Sequence, residues 1–271
     1  MVTPFDTRPA VDSLPGSKIR EVAKAGMGRG DVLAVWFGES DEVTPPAVRE
    51  AAQASLQAGE TFYSHNLGLP ELREALAAYT AALHQPVGVD RIAVTSSGVS
   101  ALMLAQQLLL SPGDEVVAIV PVWPNLTAQP QILGASVRRV SLRPDALGRW
   151  VLDLGELLAA ITPRTRALLV NSPNNPTGWS MTRAEQSAVL AHCRRTGTWV
   201  LADEVYERMW FGPGEDGCAG CAPSFLDVAQ EDARWWFVCL PSGSPGAGFA
   251  GPGQAAGARP RPGLGARGGL R

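Results

Sequence analysis

Apolar positions change their spacing near Asp90. Before it they recur three and four residues apart: Ile19, Val22 and Ala23 within 17–26, a stretch over 45–58 opened by two prolines, and a third over 70–83. This spacing predicts three helices, and prolines are well placed in a first helical turn, where their missing N–H has no partner to lose. Beyond Asp90 short β-rich runs alternate with helical ones. Runs at 91–95, 115–120, 137–141, 166–170, 198–202 and 234–239 read as strands, with helices at about 98–110, 123–134, 153–161 and 182–196 between them. Strands alternating with helices predict βα units, hence an α/β fold around a mostly parallel sheet whose ligands bind at the carboxyl ends of the strands. No internal repeat is present.

Composition narrows the function classes. At 271 residues the chain has room for one large domain or two modest ones, and 45% apolar with 18% charged residues is the balance of a soluble globular protein. The 23 Lys and Arg are offset by 26 Asp and Glu, for a net charge of −3. Neither nucleic acid nor an anionic membrane is therefore expected as a partner. The first residues have no apolar core of the signal-peptide kind and no run approaches the ~18 apolar residues of a membrane span, which predicts a cytoplasmic location. Four cysteines are too few and too uneven for a disulfide framework. Cys218-Ala-Gly-Cys221 has the spacing of half a zinc site, but no second such pair exists and no histidine follows His192, so no metal is expected.

Residues 241–271 break the pattern. Gly, Ala, Pro and Arg make up 25 of these 31 positions, and no acidic residue follows Asp232. One reading is a disordered basic tail, since such a segment buries too little to offset its ordering entropy. The other is a GC-rich gene read out of frame after about residue 239, because those four residues share codons that begin with two G/C bases.

Candidate chemistry sits at strand ends. Asn171-Ser-Pro-Asn-Asn-Pro-Thr-Gly178 follows the apolar run 167–170, and its prolines and closing glycine fix a turn that presents Asn175. About 25 residues on, Ala202-Asp-Glu-Val-Tyr206 ends another apolar run and offers Asp203 and Tyr206. A carboxylate, a phenol and an amide gathered at neighbouring strand ends suit one flat ligand. Taken alone, Asp203 reads equally well as a helix N-cap.

Together with further motifs in the same order, these residues resemble the class I/II aminotransferases, pyridoxal 5'-phosphate (PLP) enzymes of fold type I, in their aspartate aminotransferase-like form. The likeness runs over about residues 17–239. Gly38-Glu-Ser-Asp41 with Thr44-Pro-Pro is similar to the family segment whose backbone, at Gly38, meets the substrate carboxylate. Tyr63-Ser-His-Asn-Leu-Gly-Leu-Pro implies a homodimer, because the family tyrosine reaches the partner subunit's cofactor phosphate. Thr95-Ser-Ser-Gly-Val-Ser opens a helix, where Ser97, Gly98 and Val99 would cradle the phosphate on free N–H groups. Trp123 in Pro121-Val-Trp-Pro would stack on the pyridine ring. By the same resemblance Asp203 pairs with the ring nitrogen, while Asn175 and Tyr206 hydrogen-bond the phenolic oxygen. The fold implied is three-layered, with residues 1–40 in the small domain, 41–240 in the large PLP-binding domain and 241–271 outside both. The substrates implied are an amino acid and a 2-oxo acid.

One departure from the family is decisive for activity. Only Lys18 and Lys24 are lysines, so the family's Schiff-base lysine, expected some thirty residues after Asp203 in a Ser-x-Ser-Lys context, is absent. Leu240-Pro-Ser-Gly-Ser-Pro stands there instead. The Gly-x-Arg phosphate segment and the C-terminal small domain are missing as well. The expectation is an aminotransferase by family, truncated or frameshifted after about residue 239 and inactive as written. The alternatives are a non-catalytic PLP-binding or regulatory protein and a related PLP lyase or synthase.

Overall fold

The computed structural model describes residues 8–16, 18–37, 42–211, 220–229 and 236–238. Gly38, Cys218, Cys239 and the segment 241–271 lie outside the described residues. Four helices come first: α1 (Pro9–Asp12), α2 (Lys18–Gly26), α3 (Pro46–Gln57) and α4 (Pro70–Leu83). Helices α3 and α4 each carry proline in the first turn, as the sequence requires. Then follow α5 (Gly98–Leu109), β1 (Glu115–Val120), α6 (Asn125–Ile132), β2 (Ser136–Ser141), a small hairpin of β3 (Arg143–Pro144) and β4 (Trp150–Val151), α7 (Leu154–Ala160), β5 (Thr165–Asn171), α8 (Arg183–Thr196), β6 (Trp199–Asp203) and β7 (Trp236–Val238).

Five strands form one sheet in the order β2-β1-β5-β6-β7, and every pairing is parallel. The central strands are apolar on both faces, which is the composition a sheet covered on both sides demands. Because side chains alternate, Val116 and Ala118 of β1 pack on one side with Leu102, Leu109 and Leu126 from α5 and α6. Val117 and Ile119 point the other way, into Leu157 of α7 and Val189 and Leu190 of α8. β5 divides likewise, with Ala167 and Leu169 on the first side and Leu168 and Val170 on the second. The result is helix, sheet, helix in three layers. Helix α8 starts at a capping box in which Thr182 and Glu185 satisfy each other's N–H groups, and it ends at Gly197, whose φ of 74° closes the last turn.

The run at 91–95 is the correction. It is not a strand: a 3-10 turn, Val89–Arg91, leads into irregular chain. Its β-rich composition finds no ladder, and its carbonyls are taken by a side chain instead. Arg73 of α4 donates Nε to Ile92 O at 2.7 Å and Nη2 to Val89 O at 2.5 Å. The segment is then fastened by Val94 N–H to Leu67 O at 2.9 Å. Gly68 makes that approach possible: its φ is +98°, and a Cβ there would stand 2.7 Å from Val94 Cβ. Gly68→Ala is expected to cost about 1–3 kcal/mol from the left-handed backbone and the collision together. Gly59→Ala, at φ +73° with open space around it, is expected to cost only about 1 kcal/mol; urea midpoints of the two variants measure the difference.

Candidate functional site

Parallel pairing puts the carboxyl ends of β1, β5 and β6 along one edge of the sheet, and each end delivers one candidate group. β1 stops at Val120 and the chain continues to Trp123; β5 stops at Asn171, four residues before Asn175; β6 stops at Asp203, three before Tyr206. Helix α5 runs back against the strands. Its twelve residues span about 18 Å, close to the length of a six-residue strand, so its N-terminus reaches the same edge. The sequence-predicted residues Ser97, Gly98, Val99, Trp123, Asn175, Asp203 and Tyr206 therefore share one rim. Tyr63 stands fully exposed at 108% on the loop before α4, and Gly38 lies outside the described residues.

The centre of the site is a hydrogen-bonded corner between β5 and β6. Asn171 and Asp203 are register partners. Asn171 Nδ2 donates to Asp203 O at 3.0 Å, and its Oδ1 accepts the Asn175 N–H at 2.7 Å. Asn175 Nδ2 in turn donates to the Tyr206 hydroxyl at 3.1 Å. The turn between them is built by Asn174, whose Oδ1 accepts both Thr177 N–H at 3.1 Å and Thr177 Oγ1 at 2.7 Å. Asn171 begins the motif, and the sequence reading passes over it; its side chain is the brace that aims Asn175.

Asp203 is 8% exposed. Its carboxylate accepts one long bond from Val205 N–H, at 3.4 Å, and no described cationic side chain pairs with it. Burial pushes its pKa up to about 6, against the small opposing pull of the Val205 N–H. An acid so placed lacks a cation. It starts no helix, because residues 205–208 form a turn.

At the other end of the rim, Ser97 is the N-cap of α5 and its Oγ accepts the Ser100 N–H at 3.2 Å. Gly98 and Val99 begin the helix, so their N–H groups have no earlier helical carbonyl to meet. This turn is tied to the element carrying Trp123. Gln129 of α6 donates to Val99 O at 3.0 Å, and buried Gln106 of α5 donates to Gln129 Oε1 at 2.8 Å. Trp123 is half-buried and packs against the core on the α5–α6 side. Polar glutamines on otherwise apolar helix faces were the available signal for this brace.

Taken together, the rim offers N–H groups for an anion at one end, an indole face beside it, and a buried carboxylate with an amide and a phenol at the other. That donor set fits a flat heteroaromatic ring with a cationic nitrogen, a ring oxygen and an anionic arm. Among the described residues no cluster of His, Cys, Asp and Glu could hold a metal ion, and no helix is long and apolar enough to cross a membrane.

Residues 35–254 match the family model for aminotransferase class I and II. The chain is 35% identical over 205 residues to an aspartate/prephenate aminotransferase of Thermus thermophilus, an alignment covering 75% of this chain and 52% of that one. It is 34% identical over 225 residues to an arginine–pyruvate transaminase of Pseudomonas aeruginosa, covering 82% and 56%. Among solved structures, a Thermus thermophilus aspartate aminotransferase variant superposes with a TM-score of 0.76 at 32% identity, over 88% of this chain and 61% of that one. The chain thus spans about half the length of the curated relatives it matches.

Proposed function

The chain belongs to the class I and II aminotransferases, and from that membership we propose that the rim at its sheet edge binds PLP within a large domain spanning 41–240. Asp203 pairs with the ring nitrogen, Asn175 and Tyr206 bind the phenolic oxygen, Trp123 stacks on the ring, and the N–H groups of Ser97, Gly98 and Val99 hold the phosphate. When bound, the cofactor withdraws electrons from the α-carbon of an amino acid, and this is the chemistry by which an amino group passes to a 2-oxo acid. The observation that carries the reading is Asp203: a buried carboxylate that no described cationic side chain pairs with, one strand away from a braced amide–phenol pair.

The chain's own part in the chemistry follows from where its groups stand. The Asp203 carboxylate holds a proton on the ring nitrogen by accepting it in a charge-assisted bond. The Asn175 amide and Tyr206 hydroxyl would favour negative charge on the ring oxygen. The Gly38 backbone is assigned to the substrate carboxylate, and exposed Tyr63 to the phosphate in a second copy of the chain, which makes the working form a homodimer. We place the protein in the cytoplasm. No side-chain amine follows Lys24, so nothing at the rim attaches the cofactor covalently or carries a proton to and from the α-carbon. The binding is therefore noncovalent, and amino transfer by this chain is expected to be lost.

Titration of the full 271-residue chain with PLP tests this. A saturable absorbance change with quenching of tryptophan fluorescence is expected, and borohydride treatment is expected to leave the cofactor removable by dialysis. A titration without saturation would sink the cofactor assignment. Cofactor retained after reduction would sink its noncovalent part.

A further inference from the structure

Directly beyond Asp203 the chain turns through Glu204, Val205, Tyr206 and Glu207, and both acids that bracket this turn point inward. Glu204 and Glu207 are 2% and 3% exposed. The Glu204 carboxylate accepts the Ser224 hydroxyl and the Phe225 N–H, the latter at 2.8 Å. The Glu207 carboxylate accepts the Tyr79 hydroxyl at 3.1 Å and faces His84 Nε2 at 3.1 Å, while its backbone oxygen accepts the Ala222 N–H at 2.8 Å.

His84 is the link that joins these pieces. It ends α4, and its side chain is 1% exposed. Its second nitrogen, Nδ1, faces Asp227 Oδ2 at 3.1 Å, and that same oxygen accepts Arg183 Nη2 from α8 at 3.2 Å. Two carboxylates on two ring nitrogens are both satisfied only when both nitrogens carry protons, so the geometry requires an imidazolium. Burial works against that charge, but the hydrogen bonds His84 donates to Asp227 and Glu207, with the charges of those carboxylates, outweigh it and bring the pKa up to about 9. His84 and Arg183 balance the charges of Glu207 and Asp227, and burial raises the pKa of Glu204, close behind, to about 7.

We infer that His84 is a positioning residue for the ring end of the site: as an imidazolium clamped between Glu207 and Asp227, it fixes the turn that carries Tyr206 relative to Asp203. The inference rests on the PLP reading given above. Glu204 pins the start of the turn and the His84 clamp pins its end, leaving Tyr206, the penultimate residue, aimed at Asn175. Without the clamp, Glu207 loses its contact with His84 and the end of the turn is held less firmly. The phosphate end is held separately, by α5 and Gln129, so it stays as it is.

That separation supplies the test. The full chain, His84→Gln and Asp227→Asn are titrated with PLP, and inorganic phosphate is titrated as a competitor at the same pH. For His84→Gln the dissociation constant for PLP is expected to rise about tenfold, the typical loss when a group behind the direct ligands is removed. The inhibition constant for phosphate is expected to stay within about twofold. Asp227→Asn is the milder variant, takes the charge from one side of the clamp, and is expected to show the same selective loss at about threefold; it decides the matter if His84→Gln does not fold. A purely structural role would raise both constants in parallel, and that result, or unchanged PLP binding by the variants, overturns the inference. Failure of the unaltered chain to bind PLP removes the PLP reading itself, and this inference with it.

Discussion

Asp203→Asn is expected to weaken PLP binding about a hundredfold while making the free chain more stable. The two effects have opposite signs because one group serves opposite purposes in the two states. In the free chain the carboxylate is buried, accepts a single long bond from Val205, and pairs with no described cation. Its pKa of about 6 in the fold, against 3.8 for an unperturbed aspartate, records that burial cost. Between those two values the native chain holds a proton that the unfolded chain has lost, so stability falls as pH rises through this window, and the penalty is complete above about 6. An asparagine has no charge to desolvate and removes a cost on the order of 3 kcal/mol. With the cofactor present the balance reverses: a cationic ring nitrogen converts the uncompensated carboxylate into a charge-assisted pair, worth about 2–3 kcal/mol in a site closed to water. Affinity of the unaltered chain should therefore rise as pH passes upward through about 6, and the variant's affinity should not. Urea midpoints and PLP titrations at pH 5 and pH 7.5 measure both trends. A variant that binds PLP as tightly as the unaltered chain would take Asp203 out of the site.

Amino transfer by the purified chain is expected to fall roughly 10⁴-fold or more below the rate of a lysine-bearing relative. Proton removal at the α-carbon needs a base within hydrogen-bond reach and matched to neutral pH. Among the described residues the rim supplies none. Asn175 Nδ2 donates to the Tyr206 hydroxyl, both groups are assigned to the ring oxygen, and Asp203 is assigned to the ring nitrogen. Proximity alone gives a bound amino acid orientation, but it has no group to which the proton can go. A coupled assay with aspartate or alanine as donor, a 2-oxo acid as acceptor and saturating PLP reads this directly. A rate within tenfold of a relative's would mean that another residue performs the lysine's task.

How far the sequence reached is visible element by element. The helix at 182–196 and the strands at 115–120 and 166–170 were legible because their apolar spacing and their stop signals agree with the burial they finally find, and the helix at 70–83 because of its apolar spacing and first-turn proline, although it has no fully buried residue. The run at 91–95 was not. Its residues favour a strand, but a strand exists only with a ladder partner, and here Arg73, nearly twenty positions earlier, takes the carbonyls. The two-residue strands of the hairpin at 143–151 were equally invisible, since so short a pairing leaves no periodicity to detect.

In the site the division is sharper. The candidate contact groups Trp123, Asn175, Asp203 and Tyr206 each sit in a short motif just at or beyond a strand end, where turn residues and an exposed function coincide, and such coincidences are local enough to read. What the sequence by itself determined is this: the parallel α/β architecture, the groups Asn175, Asp203 and Tyr206, and the absence of any amine after Lys24. Only the tertiary structure decided what holds those groups in place. Gln106 reaches Gln129 across 23 positions, and His84 reaches Glu207 across 123 and Asp227 across 143. No local pattern encodes such pairings, because a buried polar group is satisfied by whichever partner the packed helices and strands bring within 3 Å of it.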